Sequence, residues 1–146
     1  MRGHTHLAAG LLIALLFAKV FSDLNIIIII ILGLLGAALP DVDHGRSLLG
    51  RHVKIGGKLF RHRGIIHSLL VLVIFSAVVF LIFQNAIYMV VFAIAYFSHL
   101  VLDMLDGRIA LFLPAEIKYG KRHKFSGIID FSLFVVFILL DSWLIL

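Results

Sequence analysis

The sequence predicts an all-α integral membrane bundle of about five helices, in a single domain over residues 1–146. Three observations carry that prediction. Hydrophobic residues are 62% and charged residues 14% of the chain, against about half and roughly a quarter in soluble domains. A chain this small has too little polar surface to cover itself in water, so lipid must do part of the covering. The apolar residues are also gathered into runs, 7–21, 26–39, 65–83, 86–105 and 128–146. Finally, the basic residues lie almost entirely on one side of those runs.

The first two runs are the shorter ones. Ser22, Asp23 and Asn25 turn the chain between them, so they form either two crossings or a re-entrant hairpin, and the chain returns to its starting side. Gly33 and Gly36, with Ala37 and Ala38, give the second run a small-residue face for close packing. The other three runs, at about 1.5 Å per residue, match a hydrocarbon core of about 30 Å. All are predicted as helices despite their isoleucine and valine, because in lipid the backbone must satisfy its own hydrogen bonds. Arg2 and residues 7–17 have the shape of a signal peptide, but no small-x-small site follows, so the N-terminus is expected in the mature protein.

Counting crossings places residues 1–6, 40–64 and 106–127 on one side, and 22–25 and 84–85 on the other. Of the thirteen Lys and Arg, Lys19 alone lies towards the second side. Such asymmetry in short loops makes the first side cytoplasmic and predicts a multi-pass protein of the inner, cytoplasmic membrane. The net charge of +5 then needs no nucleic acid, and direct nucleic-acid binding is not expected. The cluster "KYGKRHKF" (118–125) suits anionic lipid headgroups. Absence of cysteine removes disulfides and thiolate metal sites.

All eight histidines fall on the basic side: His4, His6, His44, His52, His62, His67, His99 and His123. Asp41, Asp43, Asp103 and Asp106 join them. His52 and His123 stand among Lys and Arg and read as solvated loop residues. His99 and Asp103 do not. They are spaced i and i+4 on the fourth helix, with Asp106 at i+7, so all three share a face. An ionisable group at membrane depth costs roughly a few kcal/mol unless it is paired or bound. A His–Asp hydrogen bond that stabilises the bundle is the plainer explanation. Against it stand three more polar stretches at helix ends on the same side, "THLAAG" (5–10), "LPDVDH" (39–44) and "HRGIIHS" (62–68). Imidazole and carboxylate together are ligands of Zn²⁺, Mn²⁺ or Fe²⁺. Pro40 ends the second helix so that Asp41 and Asp43 can turn back toward His99 and Asp103, and a cation between them would relieve carboxylate repulsion.

In order, the motifs are Thr5-His6 with Gly10, Pro40-Asp41 with Asp43, His62-Arg63-Gly64 with His67-Ser68, and His99 with Asp103, followed by Gly107 and Pro114. This set resembles the YdjM-like family of membrane-bound, metal-dependent hydrolases, also described as LexA-binding and inner-membrane-associated. The resemblance covers most of the chain, though His4 and His44 fall outside its motifs. It implies a distant relation to zinc-dependent phospholipase C and the zinc single-strand nucleases.

The expected metal site is a cluster of about two or three divalent ions, zinc or alternatively manganese, of the kind that works in pairs on phosphoesters. Its expected ligands are His6, Asp41, Asp43, His62, His67, His99 and Asp103. The expected activity is a phospholipase C-like hydrolysis of a phosphoester on a phospholipid or lipid-linked substrate at the cytoplasmic face. Asp41 is the favoured general base and Asp103 the alternative. Arg63, or Arg61, would hold the phosphate, with Arg46 and Arg51 on the same loop. No Walker A loop, HExxH or GxSxG occurs, which argues against an ATPase, a zincin or a serine hydrolase. Two other functions compete: a regulatory metal-binding membrane protein without turnover, and a metal transporter or sensor. Five helices leave little room for an ion pathway unless copies assemble, so an oligomer stays open. No ionisable residue is expected in mid-membrane to relay an ion.

Overall fold

Apolar runs that cannot hydrogen-bond to lipid must close their backbone bonds internally, and the computed structural model shows five helices doing so. It describes residues 3–43, 65–107, 109–112, 117–120 and 126–146. The helices are α1 (Gly3–Val20), α2 (Ile26–Ala38), α3 (Leu69–Phe83), α4 (Ala86–Asp106) and α5 (Ser126–Ile145). Three of them, α1, α4 and α5, are long and apolar enough to cross a membrane, whereas α2 and α3 are shorter.

The helix boundaries correct the sequence reading at two places. α1 begins at Gly3, so Thr5 and His6 lie inside a helix and not in a polar leader before it. The third run, 65–83, is not one helix. Ile65–His67 form a 3-10 turn, and Ser68 then caps α3, its hydroxyl accepting from the Val71 N–H at 3.4 Å. The isoleucines on the turn hide that break from a hydropathy reading. The all-α bundle carries one short hairpin besides its helices: β1 (Ile109–Phe112) and β2 (Ile117–Tyr119) pair antiparallel, with Ile109 opposite Tyr119. Gly120 leaves this hairpin at φ 105°, and a side chain there would collide with the carbonyls of Met104 and Gly107 at the end of α4.

α4 is the centre of the bundle. Its buried residues Tyr88, Val91, Phe92, Ala95, Tyr96, His99 and Asp103 recur at helical spacing, and it packs against α1, α2 and α3. α1 packs in addition against α2 and α5. Small residues set these distances. A Cβ on Gly33 would lie 2.7 Å from the Gly10 carbonyl oxygen and 2.8 Å from Ala14 Cβ. A Cβ on Gly36 would lie 2.6 Å from the Phe92 oxygen. Only glycine lets the backbones of α1, α2 and α4 come this close.

α5 is built the other way round. Its buried residues are Asp130 and Asp141, while Ile128, Phe131, Leu139, Trp143 and Ile145 are each more than 60% exposed. Polar inward and apolar outward is stable only where the surroundings are apolar, as in lipid.

At the end of the bundle where α1 passes to α2 and α3 to α4, the connections are short. Asn25 caps α2 by accepting from Ile27 and Ile28, and Asn85 caps α4 by accepting from Ile87 and Tyr88. The Tyr88 hydroxyl accepts from the Asn25 N–H at 3.1 Å and ties the two turns together. The opposite end collects the start of α1, the end of α2, the His67 turn and the end of α4. That end carries the site.

A candidate metal centre at the histidine end of the bundle

The side chains of the site arrive from four elements, each for a local reason. α2 stops at Ala38, and a 3-10 turn over Leu39–Asp43 follows, with Pro40 buried in it. Proline has no N–H to extend the helical ladder, so the chain tightens and swings Asp41 inward. The Tyr96 hydroxyl on α4 donates to the Ile66 carbonyl and fixes the turn that holds His67. His99 and Asp103 sit one turn apart on the buried face of α4. His6 projects from the second turn of α1 toward them.

Asp103 lies at the middle and divides its carboxylate. His6 Nε2 stands 3.3 Å from Oδ1, and His67 Nε2 stands 3.2 Å from Oδ2. His99 Nε2 is 3.8 Å from Asp103 Oδ2 and also 3.8 Å from Asp41 Oδ1. The rings of His6 and His99 stack with centroids 3.8 Å apart, and that of His67 meets His99 edge-on at 5.5 Å. His6, His67 and His99 are at most 1% exposed, Asp103 2%. Asp41 is the more open member, its side chain 19% exposed.

The tautomer of His99 follows from its second contact. Nδ1 is 2.6 Å from the carbonyl oxygen of Ala37, which can only accept, so Nδ1 carries the hydrogen. That carbonyl is among the last four of α2, which have no helical donor of their own. Nε2 of a neutral His99 is therefore left with a lone pair, directed among the carboxylates. A histidine whose far nitrogen donates to a carbonyl is the usual arrangement of a metal ligand.

Several of these buried atoms have no protein partner. Neither ring nitrogen of His6 makes a hydrogen bond, nor does Nε2 of His99. A buried polar atom without a hydrogen bond costs about 1–3 kcal/mol, so three on adjacent rings call for a further ligand. A divalent cation fits them. His6, His99 and Asp103 offer ligand atoms within 4.8 Å of one another, and so do Asp41, His67 and His99. The two groups share His99, and the two Asp103 oxygens face different histidines, so these side chains form one contiguous cluster that could hold a metal ion.

The structure thus brings together five of the expected ligands: His6, Asp41, His67, His99 and Asp103. Asp43 ends the 3-10 turn, but its side chain, like His62, Arg61 and Arg63, lies outside the described residues. Asp106 is half-buried at the end of α4, and His4 points outward with its ring against Phe134.

Three features are new relative to the sequence reading. The Ala37 carbonyl is backbone, and no side-chain pattern could have marked it. Thr5, wholly buried, donates from Oγ1 to Asp130 Oδ1 at 2.9 Å, a link between α1 and α5. Asp141 is buried further along α5, and neither of its oxygens has a hydrogen-bond partner. Both acids lie inside the apolar run of α5, towards its two ends, and the sequence reading named neither. An acid inside an apolar run was a readable signal for both.

Fold and cluster together define a class: an α-helical membrane protein with a buried His–Asp cluster able to hold metal ions. The family model described as YdjM inner membrane protein matches residues 1–145, and the chain belongs to that family. Comparison with curated proteins and with solved structures gives no match.

Proposed function

We propose that this protein is a metal-dependent hydrolase of phosphoesters, acting on a phospholipid or lipid-linked phosphate at the cytoplasmic face of the inner membrane. The observation that carries the reading is the set of buried, unpartnered imidazole nitrogens of His6 and His99 around the divided carboxylate of Asp103. A purely structural His–Asp pair would have used those nitrogens. The resemblance of the motifs to those of zinc-dependent phospholipase C and the zinc single-strand nucleases supports phosphoester chemistry. Membership of an inner-membrane family supports the location.

Divalent cations bound here, zinc or manganese, would polarise a phosphoryl oxygen and acidify a water. The chain's own residues supply the rest. His6, His67, His99 and Asp103 are buried and would hold the ions. Asp41 is the partly open carboxylate at the edge of the cluster, so it is placed to take a proton from an attacking water. Arg63 would bind the phosphate as a planar double donor. The site sits among helix ends, the depth at which a lipid phosphate lies, and the exposed apolar flanks of α3 and α5 suit acyl chains.

The test presents defined phospholipids and polyprenyl phosphates in detergent with zinc or manganese and measures released headgroup or phosphate. Turnover is expected in the wild type, with Asp41→Asn mainly lowering kcat and Arg63→Ala mainly raising KM. A metal-loaded protein that hydrolyses none of these, nor a generic phosphodiester, would transfer the site to the regulatory reading. Sidedness is tested separately with an impermeant thiol reagent. A single cysteine at Asn85 should label from outside intact cells and one at Ser126 should not; the reverse pattern would place the site outside.

A further inference from the structure

Asp130 is an acid on a helix whose exposed residues are almost all apolar, and it points inward. Its Oδ1 accepts from the Thr5 hydroxyl at 2.9 Å, with Thr5 wholly buried and Asp130 5% exposed. Thr5 directly precedes His6. Consecutive residues on a helix are turned by about 100° from each other, so Thr5 can face α5 while His6 faces α4. A bond that fixes the direction of Thr5 therefore also fixes the direction of His6.

This matters because His6 has few other restraints on its orientation. Neither of its ring nitrogens is held by a protein hydrogen bond, and its remaining restraints are a stacked ring at 3.8 Å and a carboxylate at 3.3 Å. His99 by contrast is locked by the Ala37 carbonyl. Near Gly10, α1 meets α2 through glycine backbone and the methyl groups of Ala14 and Ala37, which set the spacing of the helices rather than the direction of a side chain. Turning α1 by only about 10° would carry the His6 nitrogens by on the order of 1 Å, enough to spoil a ligand geometry.

We propose that Asp130 is a positioning residue that, through Thr5, sets the rotation of α1 and so aims His6 into the metal centre. This rests on the metal-binding reading of the cluster. α5, otherwise a lipid-facing helix, is then tied to the site by a polar contact.

The test uses full-length protein in detergent with cobalt as the metal. Affinity is measured by chelator competition and ligand geometry by the visible cobalt absorption. Asp130→Leu and Thr5→Val should each weaken cobalt binding about 10–100-fold and change the absorption bands. Asp130→Asn and Thr5→Ser keep an acceptor and a donor, and should retain most of the affinity and the wild-type spectrum. The double variant Thr5→Val with Asp130→Leu should be no weaker than either single one, since both break the same bond. Folded single variants with wild-type affinity and spectrum would overturn the proposal, and so would losses that add. If Thr5→Val, which keeps the side chain's size, fails to fold along with Asp130→Leu, the pair is structural and the proposal falls. Wild-type protein that binds no cobalt would overturn the metal reading itself, a distinguishable result.

Discussion

The two ends of this bundle treat polar groups in opposite ways. At the turn end, Asn25 and Asn85 each spend a side-chain oxygen on helix N–H groups within three residues, and Tyr88 closes the remaining Asn25 donor. At the histidine end, side chains separated by tens of residues converge, and nitrogens of His6 and His99 make no hydrogen bond within the protein. The turn end is satisfied locally and contributes stability. The histidine end leaves buried nitrogens without a hydrogen bond, and that imbalance makes it the candidate site. Asp141, on α5, is buried without a hydrogen-bond partner, yet among the described residues it belongs to no group of three metal-ligand side chains. Burial alone is not the signal; convergence of several ligand types is.

The largest expected effect that would sharpen this contrast comes from the seam between the ends. Gly33→Val would drive its side chain into the Gly10 oxygen and Ala14, an overpacking of about 1–3 kcal/mol. Because α2 also carries the Ala37 carbonyl, the shift should loosen His99 and reduce metal binding as well as thermal stability. A variant that loses stability but keeps its metal affinity would show that the two ends are packed independently.

Away from the site, shifts in stability of either sign are expected without a change in metal binding. Asp141→Leu removes a buried carboxylate without a partner and should raise stability by about 1–3 kcal/mol. Asn85→Ala removes the cap of α4 and should lower it by about 1 kcal/mol. Thermal unfolding in detergent reads both, and metal content should change in neither. Loss of metal from Asp141→Leu would make the contrast between convergent and solitary burial wrong.

Much of the site was legible in the sequence, for reasons that differ by residue. His99 and Asp103 were visible because i, i+4 spacing inside an apolar run has a strong physical cost. Asp41 was visible because proline ends a helix at a known place, and the turn it makes does bring Asp41 toward His99. The start of α3 was misplaced because Ile65 and Ile66 are as apolar as the helix after them, while the serine cap depends on one hydroxyl. β1 and β2 were missed because strands of four and three residues carry too little alternation to read. Asp130 and Asp141 were legible but passed over, since a single acid does not interrupt an apolar run. The Ala37 carbonyl and the turn-holding hydroxyl of Tyr96 depend on how helices pack, which no local pattern encodes.

The most direct measurement is the metal content of the purified protein and of its His99→Ala and Asp103→Ala variants, by elemental analysis after exposure to zinc. His99 belongs to both ligand groups and Asp103 faces all three buried histidines, so either change should empty the site while Asn85→Ala leaves it full. Wild-type protein is expected to carry more than one divalent ion per chain and the two variants essentially none. A wild type without bound metal, or variants that keep the wild-type content, would contradict a metal centre built on these residues.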